Sequence, residues 1–269
     1  MTGRPTPTYA TGVRALLRQQ VVCYRLQLKV LSTSLFDGFL AVLFPLMFAT
    51  AALLVYRVND DPAAMQYAGL GAAIMGMWTC QGVIASSLLT RERWAGTLEL
   101  LVAAPTSLSR VLVPITMALS TIGLYCVVAT ILFERWVFGI ELEIRSWPLF
   151  VVGVLMAAAT LALFGFFLSV TAVRYRTSWS LGAALEYPGW LLCGFLVPVS
   201  LLPTWIQPLS WAIPTTWAMS AVREAANGGS PWVDLGVCAL VGLAYAALAA
   251  YLGRRLVDSA RRHATLALT

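Results

Sequence analysis

The sequence predicts an all-α polytopic membrane protein. We expect six transmembrane helices, an N-terminal amphipathic interfacial helix and a re-entrant helical hairpin before the last span. Of the 269 residues, 59% are hydrophobic and 11% are charged, whereas soluble domains are roughly half apolar and about a quarter charged. A soluble fold of this size could not bury so much apolar surface, so the lipid bilayer is the expected solvent.

The six spans are predicted from six runs of predominantly apolar residues. Each has roughly the 20 residues that a helix needs to cross a hydrocarbon core of about 30 Å. The runs are residues 35–56, 67–89, 111–133, 148–171, 179–199 and 232–252. The longest polar connector is residues 134–147, and Glu134 is expected in this outer loop.

The orientation follows from the basic residues. Fourteen of the 18 Lys and Arg residues fall on one side of the six-span arrangement, and an excess of these residues marks cytoplasmic loops. Both termini are therefore expected in the cytoplasm. The chain divides into a cytoplasmic N-terminus (1–31), a transmembrane permease domain (32–256) and a cytoplasmic tail (257–269). Seventeen arginines against one lysine favour a GC-rich bacterial source, and hence the bacterial cytoplasmic membrane.

The N-terminal segment predicts a helix that lies on the membrane. Apolar residues recur at intervals of three and four, which gives one apolar stripe: Val13, Leu17, Val21, Tyr24 and Leu28. A basic stripe lies beside it: Arg14, Arg18, Arg25 and Lys29. Basic residues next to an apolar face fit a helix bound to lipid phosphates. The alternative is an ordinary cytoplasmic helix packed on the protein.

No catalytic constellation is evident in the sequence. A phosphate-binding loop requires Gly-x-x-x-x-Gly-Lys-Ser/Thr, but the single lysine, Lys29, follows Leu28. The five cysteines lie singly in apolar stretches and His263 is the only histidine, so no metal site is expected. The basic residues form no single patch for nucleic acid. We expect neither an enzyme nor a cofactor-binding chain, and a partner must supply energy at the cytoplasmic surface.

The best candidate for that contact lies in the predicted cytoplasmic loop 90–110. Residues 91–105 read Arg-Glu-Arg-Trp-Ala-Gly-Thr-Leu-Glu-Leu-Leu-Val-Ala-Ala-Pro. Thr97 can cap a short helix after Gly96, and Pro105 can end it. On this chemistry alone, a partner-binding helix and a loop anchored by snorkelling arginines are equally plausible.

These residues resemble the signature of type-2 ATP-binding-cassette (ABC) exporter permeases. A second match comprises Gly194-x-x-x-Pro198, then Leu-Pro-x-Trp-Ile-Gln at 202–207, Pro-Thr-Thr-Trp at 214–217, and Arg223. The surface helix, the six spans and the chain length agree, so the resemblance covers nearly the whole chain. One departure is Val113-Pro114, where the family often has Gly-Lys, which affects the predicted start of the third span.

The resemblance implies a transporter assembly. Two permeases, as a homodimer or a heterodimer, would pair with two copies of a cytoplasmic ABC ATPase that binds ATP and Mg. The loop would dock into a groove on the ATPase through its coupling residues, Glu92, Gly96, Thr97, Glu99 and Pro105. Residues 200–223 would form short re-entrant helices at the outer leaflet.

Six residues are predicted along the translocation path or at its gate: Glu186, Pro198, Pro203, Trp205, Pro214 and Trp217. A carboxylate within a span must face protein or water, so Glu186 serves either the path or a structural hydrogen bond. The prolines interrupt helical hydrogen bonding, and non-helical backbone cannot face lipid. We therefore expect a pair of short helices over the pore mouth. The tryptophans fit an interfacial aromatic belt as well as substrate contacts.

The predicted function is the translocation path of an exporter for a hydrophobic or amphipathic compound, such as a drug, an antibiotic or a lipid. Two alternatives remain open on the sequence. One is a polysaccharide or teichoic-acid exporter, which shares the six-span plan. The other is a membrane scaffold that transports nothing.

Overall fold

The computed structural model describes residues 13–33, 35–57, 62–85, 96, 108–140, 142–171 and 178–263. The regular structure of these residues is helical and comprises nine α-helices: α1 (Val13–Thr33), α2 (Leu35–Arg57), α3 (Pro62–Thr79), α4 (Leu108–Phe133), α5 (Trp147–Thr171), α6 (Ser178–Leu192), α7 (Gln207–Ala212), α8 (Pro214–Asn227) and α9 (Trp232–His263). Helix α3 continues into a π-helical segment, Cys80–Ala85, and α4 into another, Glu134–Phe138. A 3₁₀ turn, Val199–Leu201, precedes α7.

Three segments of the described residues are long and apolar enough to cross a bilayer. They are Arg110–Phe138, Trp147–Val170 and Trp232–Arg255, and Leu46–Val55 within α2 is a shorter apolar segment. Helices of this length and composition satisfy all backbone hydrogen bonds internally, as lipid requires. The chain is therefore a helical membrane protein. The count of six spans and the side on which the termini lie stay predictions.

Helix α3 is buried in the bundle over most of its length. Every residue between 68 and 78 is buried, and α3 packs against α2, α4 and α5. Trp78 stacks on Phe164 of α5 at 5.1 Å between ring centroids and meets the edge of Phe195 at 6.0 Å. Such aromatic pairs stabilise a core beyond the area that they bury. These ring contacts fix the position of α3 against α5 and against Phe195.

A buried polar chain links the π-helical segment after α3 to two of the spans. Gln81 is fully buried, and its amide donates hydrogen bonds to the carbonyl of Thr116, at 2.9 Å, and to the hydroxyl of Ser120. The Ser120 hydroxyl in turn donates to the carbonyl of Ala158 at 2.9 Å. Each interhelical hydrogen bond of this kind contributes about 1 kcal/mol within a membrane. These hydrogen bonds fix the mutual position of α3, α4 and α5.

Helix α1 runs along α4. The Gln20 amide donates to the carbonyl of Arg110 at 2.8 Å, and the hydroxyls of Tyr24 and Thr121 are 2.8 Å apart. Its basic stripe is exposed, as are Leu17 and Val21 of the predicted apolar stripe. The helix therefore contacts the protein and also presents a mixed basic and apolar face outward. Its binding to the membrane surface stays a prediction.

The fifth apolar run differs from its predicted boundaries. Helix α6 ends at Leu192, whereas the run was expected to continue to residue 199. The chain turns because Gly194 adopts a left-handed φ of 72°, a conformation that residues with a side chain rarely take. Pro198 then excludes a return to helix without a break.

One end of the bundle carries the short helices and is named the hairpin end. Here the Gln66 amide donates to the carbonyl of Glu143 at 3.0 Å, and the backbone N–H of Arg145 donates to the carbonyl of Ala226 at 3.0 Å. These bonds place the start of α3, the loop before α5 and the end of α8 together. In the predicted topology this end faces outward.

Candidate functional site

The segment 198–227 folds as two short helices whose starts are set by proline. Pro208 lies in the first turn of α7 and Pro214 in the first turn of α8. Proline is favoured there because its missing N–H would have no helical partner in any case. Pro198 immediately precedes the 3₁₀ turn. The expectation of two short helices in place of one continuous span agrees with this geometry, whereas a re-entrant path from the outer leaflet stays a prediction.

Side chains tie the two short helices to each other. The Thr216 hydroxyl of α8 donates to the carbonyl of Ser210 at 2.7 Å. The indole N–H of Trp217 donates to the carbonyl of Trp211 at 2.8 Å. Both acceptors lie in the last turn of α7, and the Ser210 carbonyl also accepts the backbone N–H of Ile213 at 3.1 Å. The pair of helices therefore forms one unit, which we call the hairpin.

Arg223 joins the hairpin to the rest of the bundle. Its guanidinium donates to the carbonyls of Gly194, at 2.6 Å, and Phe195, at 3.0 Å. It also lies 3.3 Å from the centroid of the Tyr67 ring in α3, and the Tyr67 hydroxyl donates to the same Gly194 carbonyl at 2.9 Å. Hydrogen bonds from a charged donor contribute about 1.5–3 kcal/mol each, and a desolvated cation–π contact adds up to about 2 kcal/mol.

The turn that receives Arg223 packs directly on α3 because of a second glycine. An ideal Cβ on Gly71 would lie 1.8 Å from the carbonyl oxygen of Phe195. No side chain fits in that space, so only glycine allows the turn to approach the helix this closely. The turn, α3 and α8 thereby enclose one side of a cavity.

The cavity lies between the hairpin and α3 and has a volume of about 300 Å³. Its lining combines aromatic, charged and small residues: Tyr67, Cys193, Pro198, Val199, Trp211, Thr216, Trp217, Ser220, Arg223, Glu224 and Asn227. Ligand sites of this size usually pair apolar walls with a few polar groups that fix orientation. The arrangement can hold an amphipathic molecule, with its apolar part on the tryptophans and its polar part near Glu224 and Asn227.

The predicted path and gate residues occupy several places. Pro198 and Trp217 line the cavity, whereas Pro203 and Trp205 are exposed and Trp205 retains 79% of its accessible surface. Pro214 is buried at the start of α8. The structure therefore brings two of the six predicted residues into the cavity.

Glu186 lies on α6, away from that cavity. Its side chain is partly buried, and its carboxyl group lies near the hydroxyl of Thr79 at the end of α3. A membrane-embedded carboxylate was expected to face protein or water. A structural contact and a role in the path both stay predictions for Glu186.

Glu134 was predicted in the outer loop, and that prediction is wrong. It is fully buried, because α4 continues past Phe133 as a π-helical segment that turns the side chain inward. Its Oε2 lies 3.0 Å from the position of a Cβ on Gly69, so the absence of a side chain there makes room for it. Neither carboxyl oxygen has a hydrogen-bond partner among the residues that the structure describes. The sequence signal that could have predicted this burial is a single acidic residue at the end of an apolar run.

Most of the predicted coupling residues lie outside the described part of the chain: Glu92, Thr97, Glu99 and Pro105. Gly96 is described, is exposed and has a φ of 70°. That left-handed backbone accounts for glycine at this position. The coupling role of the loop stays a prediction.

Thiols and acids form no metal centre in the described ranges. No three His, Cys, Asp or Glu side chains there are grouped as metal ligands. The five cysteines are free and four of them are buried, as expected for small apolar side chains. Cys80 and Cys126 are not isolated, however, since their sulfur atoms are 4.0 Å apart.

Comparison with known proteins identifies the family. The family model of ABC-2 type transporters matches residues 13–226, which include α1, the central helices, the cavity and nearly all of the hairpin. No curated protein matches the chain. The chain belongs to the ABC-2 type transporter family and is a membrane-embedded permease subunit of an ABC transporter.

Proposed function

We propose that this permease forms the translocation path of an exporter for a hydrophobic or amphipathic compound, a drug, an antibiotic or a lipid. Two copies of a separate cytoplasmic ABC ATPase bind ATP and Mg and drive the cycle. A second permease, identical or related, completes the path. The complex resides in the bacterial cytoplasmic membrane with both termini of this chain inside.

The cavity beneath the hairpin carries the proposal. Its walls include Tyr67, Trp211 and Trp217, while Glu224 and Asn227 lie at the same surface. Aromatic faces bind apolar and planar groups, and a few polar side chains set their orientation. An amphipathic cargo uses both kinds of wall, the aromatic faces for its apolar part and the polar side chains for its head. The stimulation assay below separates it from the polysaccharide alternative.

The hairpin is proposed to be the outer gate of this path. It closes the hairpin end through Arg223 and through its own internal hydrogen bonds. For cargo in the cavity to leave outward, the hairpin has to move relative to α3. The energy for that movement is supplied at the opposite side of the membrane, through residues 90–110.

Stimulated ATP hydrolysis tests the proposal. The permease is copurified with its ABC ATPase, reconstituted in liposomes and titrated with Hoechst 33342, rhodamine 6G and a fluorescent phospholipid. We expect at least one of them to stimulate hydrolysis. Trp217→Ala should raise the half-maximal concentration about tenfold, because a lost aromatic contact amounts to about 0.5–1.5 kcal/mol beyond the buried area.

Two variants serve as controls for this titration. Trp217→Phe keeps an aromatic face and loses the indole N–H bond to Trp211, so a smaller rise than for Trp217→Ala separates the aromatic contact from the hairpin bond. Trp136→Ala removes a tryptophan that is 84% exposed and does not line the cavity, so it should have no effect. An assembled complex whose hydrolysis responds to none of the compounds would favour a scaffold. A response to undecaprenyl-linked glycans alone would favour the polysaccharide exporter.

A further inference from the structure

An apolar groove runs between α4 and α5 on the outside of the bundle. It has a volume of about 360 Å³ and no polar surface in its lining. Its floor is formed by buried Val127, Phe150 and Val154. Its rims include Val128 and Leu155, each more than half exposed. A groove of this composition offers an apolar surface that suits a hydrocarbon chain.

The groove has the length of part of an acyl chain. Its α4 wall extends from Leu124 to Leu132 and its α5 wall from Trp147 to Leu155. Eight residues of helix rise about 12 Å, so the two antiparallel walls line one straight channel of that length. It runs toward the hairpin end, where α4 passes into its π-helical segment and α5 begins.

A second cavity, in which Arg135 is the one charged lining residue, continues the groove at that end. It has a volume of about 220 Å³ and shares Ile131 and Trp147 with the groove. Arg135 lines it and is exposed. Because Arg135 follows Ile131 by four residues, it continues the same face of the helix beyond the apolar walls. The shared Trp147, also exposed, is of the type that lies at the level of lipid headgroups.

We propose that this composite site binds one phospholipid of the leaflet at the hairpin end, with an acyl chain in the α4–α5 groove and its phosphate at Arg135. The order of groups along the site matches the order in a lipid: hydrocarbon first, then an indole at the interface, then a cation. A second copy of this chain would have to present a narrow, wholly apolar ridge ending in an anion. The inference does not depend on what the transporter exports.

Photocrosslinking in liposomes tests the site. The probe is phosphatidylglycerol with a diazirine in one acyl chain, added in trace to phosphatidylethanolamine liposomes that contain the full transporter complex. A diacylglycerol with the same diazirine chain is the comparison, because it lacks the phosphate. Labelled peptides are located by mass spectrometry. We expect labelling of 124–132 and 147–155, about fivefold higher with the phospholipid, the effect of one cation on an anionic lipid.

Two variants separate the halves of the site. Arg135→Gln should reduce phospholipid labelling to the diacylglycerol level. Arg254→Gln removes an exposed charge toward the C-terminal end of α9 and should leave this labelling unchanged. Val128→Trp should fill the groove and suppress both probes. Val152→Trp, at an exposed position of α5 outside the groove, should leave labelling unchanged. Both tryptophans are placed on exposed positions so that folding is retained.

Several results would overturn the inference. Equal labelling of the wild type and Val128→Trp would mean that the groove holds no acyl chain. Crosslinks from this groove to another copy of the permease would assign it to a dimer interface. Equal labelling by the phospholipid and the diacylglycerol in the wild type would mean that Arg135 holds no lipid phosphate.

Discussion

The guanidinium of Arg223 lies 3.3 Å from the centroid of the Tyr67 ring, and both side chains donate hydrogen bonds to the carbonyl of Gly194. Tyr67 and Gly194 are 127 residues apart in the sequence. Two side chains thus hold α3, the turn after α6 and the hairpin around one peptide group. The cavity depends on this arrangement because all three segments contribute to its walls.

Replacing Arg223 tests how much this contact stabilises the fold. Arg223→Lys keeps the charge but loses the planar fork that bonds two carbonyls at once. We expect the free energy of unfolding, measured by denaturation in mixed micelles, to fall by about 2 kcal/mol. Tyr67→Phe removes one neutral hydrogen bond and should cost about 1 kcal/mol. Arg254→Lys, at an exposed site of α9, should stay within about 0.5 kcal/mol. A wild-type stability for Arg223→Lys would contradict the assignment.

Gly71 is predicted to tolerate no side chain. Gly71→Ala places a Cβ 1.8 Å from the carbonyl oxygen of Phe195, so the turn must shift away from α3. Overpacking of this kind costs about 3 kcal/mol, seen as a lower thermal midpoint. The matched control is Gly236→Ala in α9, where a Cβ meets nothing within 4 Å. That change should be neutral or add about 0.5–1 kcal/mol through helix propensity. Equal midpoints for the two variants would refute the close approach.

Glu99 is predicted to contact the ATPase, although it lies outside the described residues. Glu99→Lys reverses a charge at a close contact, which typically costs a few kcal/mol. Membrane insertion and dimerisation should be unchanged, while the amount of copurified ATPase falls at least about tenfold. Glu143→Lys, exposed at the hairpin end, is the matched control and should keep the ATPase. Transport by Glu99→Lys at the wild-type rate would remove this residue from the interface.

Glu186→Gln separates the two roles that remain for this residue. The amide keeps most of the hydrogen-bonding capacity of the carboxyl group, so the protein should fold normally, and only the charge is lost. If Glu186 faces the path, export of a cationic dye should fall more than export of its neutral analogue. Thr79→Val removes the hydroxyl near Glu186 and keeps the carboxyl group. A similar loss for both dyes, or for both variants, would assign Glu186 a structural role.

Movement of the hairpin is tested with a reversible crosslink. An ideal Cβ at Gly228 lies 3.4 Å from the Cβ of Arg145, close to the spacing of about 3.5–4.5 Å that a disulfide needs. In a cysteine-free background, oxidation of Arg145→Cys/Gly228→Cys should stop export while the ATPase stays bound, and reduction should restore it. The single Gly228→Cys variant controls for strain, because Gly228 has a φ of 80°. Full export with the disulfide completely formed would reduce the hairpin to a fixed lid.

Local patterns predicted the membrane class and the helix breaks well. Apolar runs of spanning length became helices because lipid leaves no other conformation for such a backbone. Pro208 and Pro214 were expected to interrupt a span, and each lies in the first turn of a short helix. These features depend on residues that are close together in the sequence, so the sequence alone is enough to predict them.

Features that depend on distant residues were less accessible. Tyr67 begins a predicted apolar run and has no local signal for a bond to Gly194. Glu134 was assigned to a loop because nothing in its own segment shows that Gly69 leaves a space opposite it. Of the candidate residues, Trp217 was found through a motif and lines the cavity, whereas Trp205 belongs to the same motif and is exposed. A motif identifies a segment, and only packing decides which of its side chains face inward.

The shared carbonyl of Gly194 makes opening of the hairpin end a cooperative event. Moving α8 away from α3 breaks the Arg223 hydrogen bonds and its contact with the Tyr67 ring at the same time. Of the two side chains that donate to the Gly194 carbonyl, only the Tyr67 hydroxyl then remains. Contacts that share members have free energies that do not add independently. Hairpin positions between the closed and the open one would lose most of these contacts and gain no others. The hairpin should therefore populate two discrete positions. Single-molecule distance measurements should then resolve two peaks in place of a broad distribution.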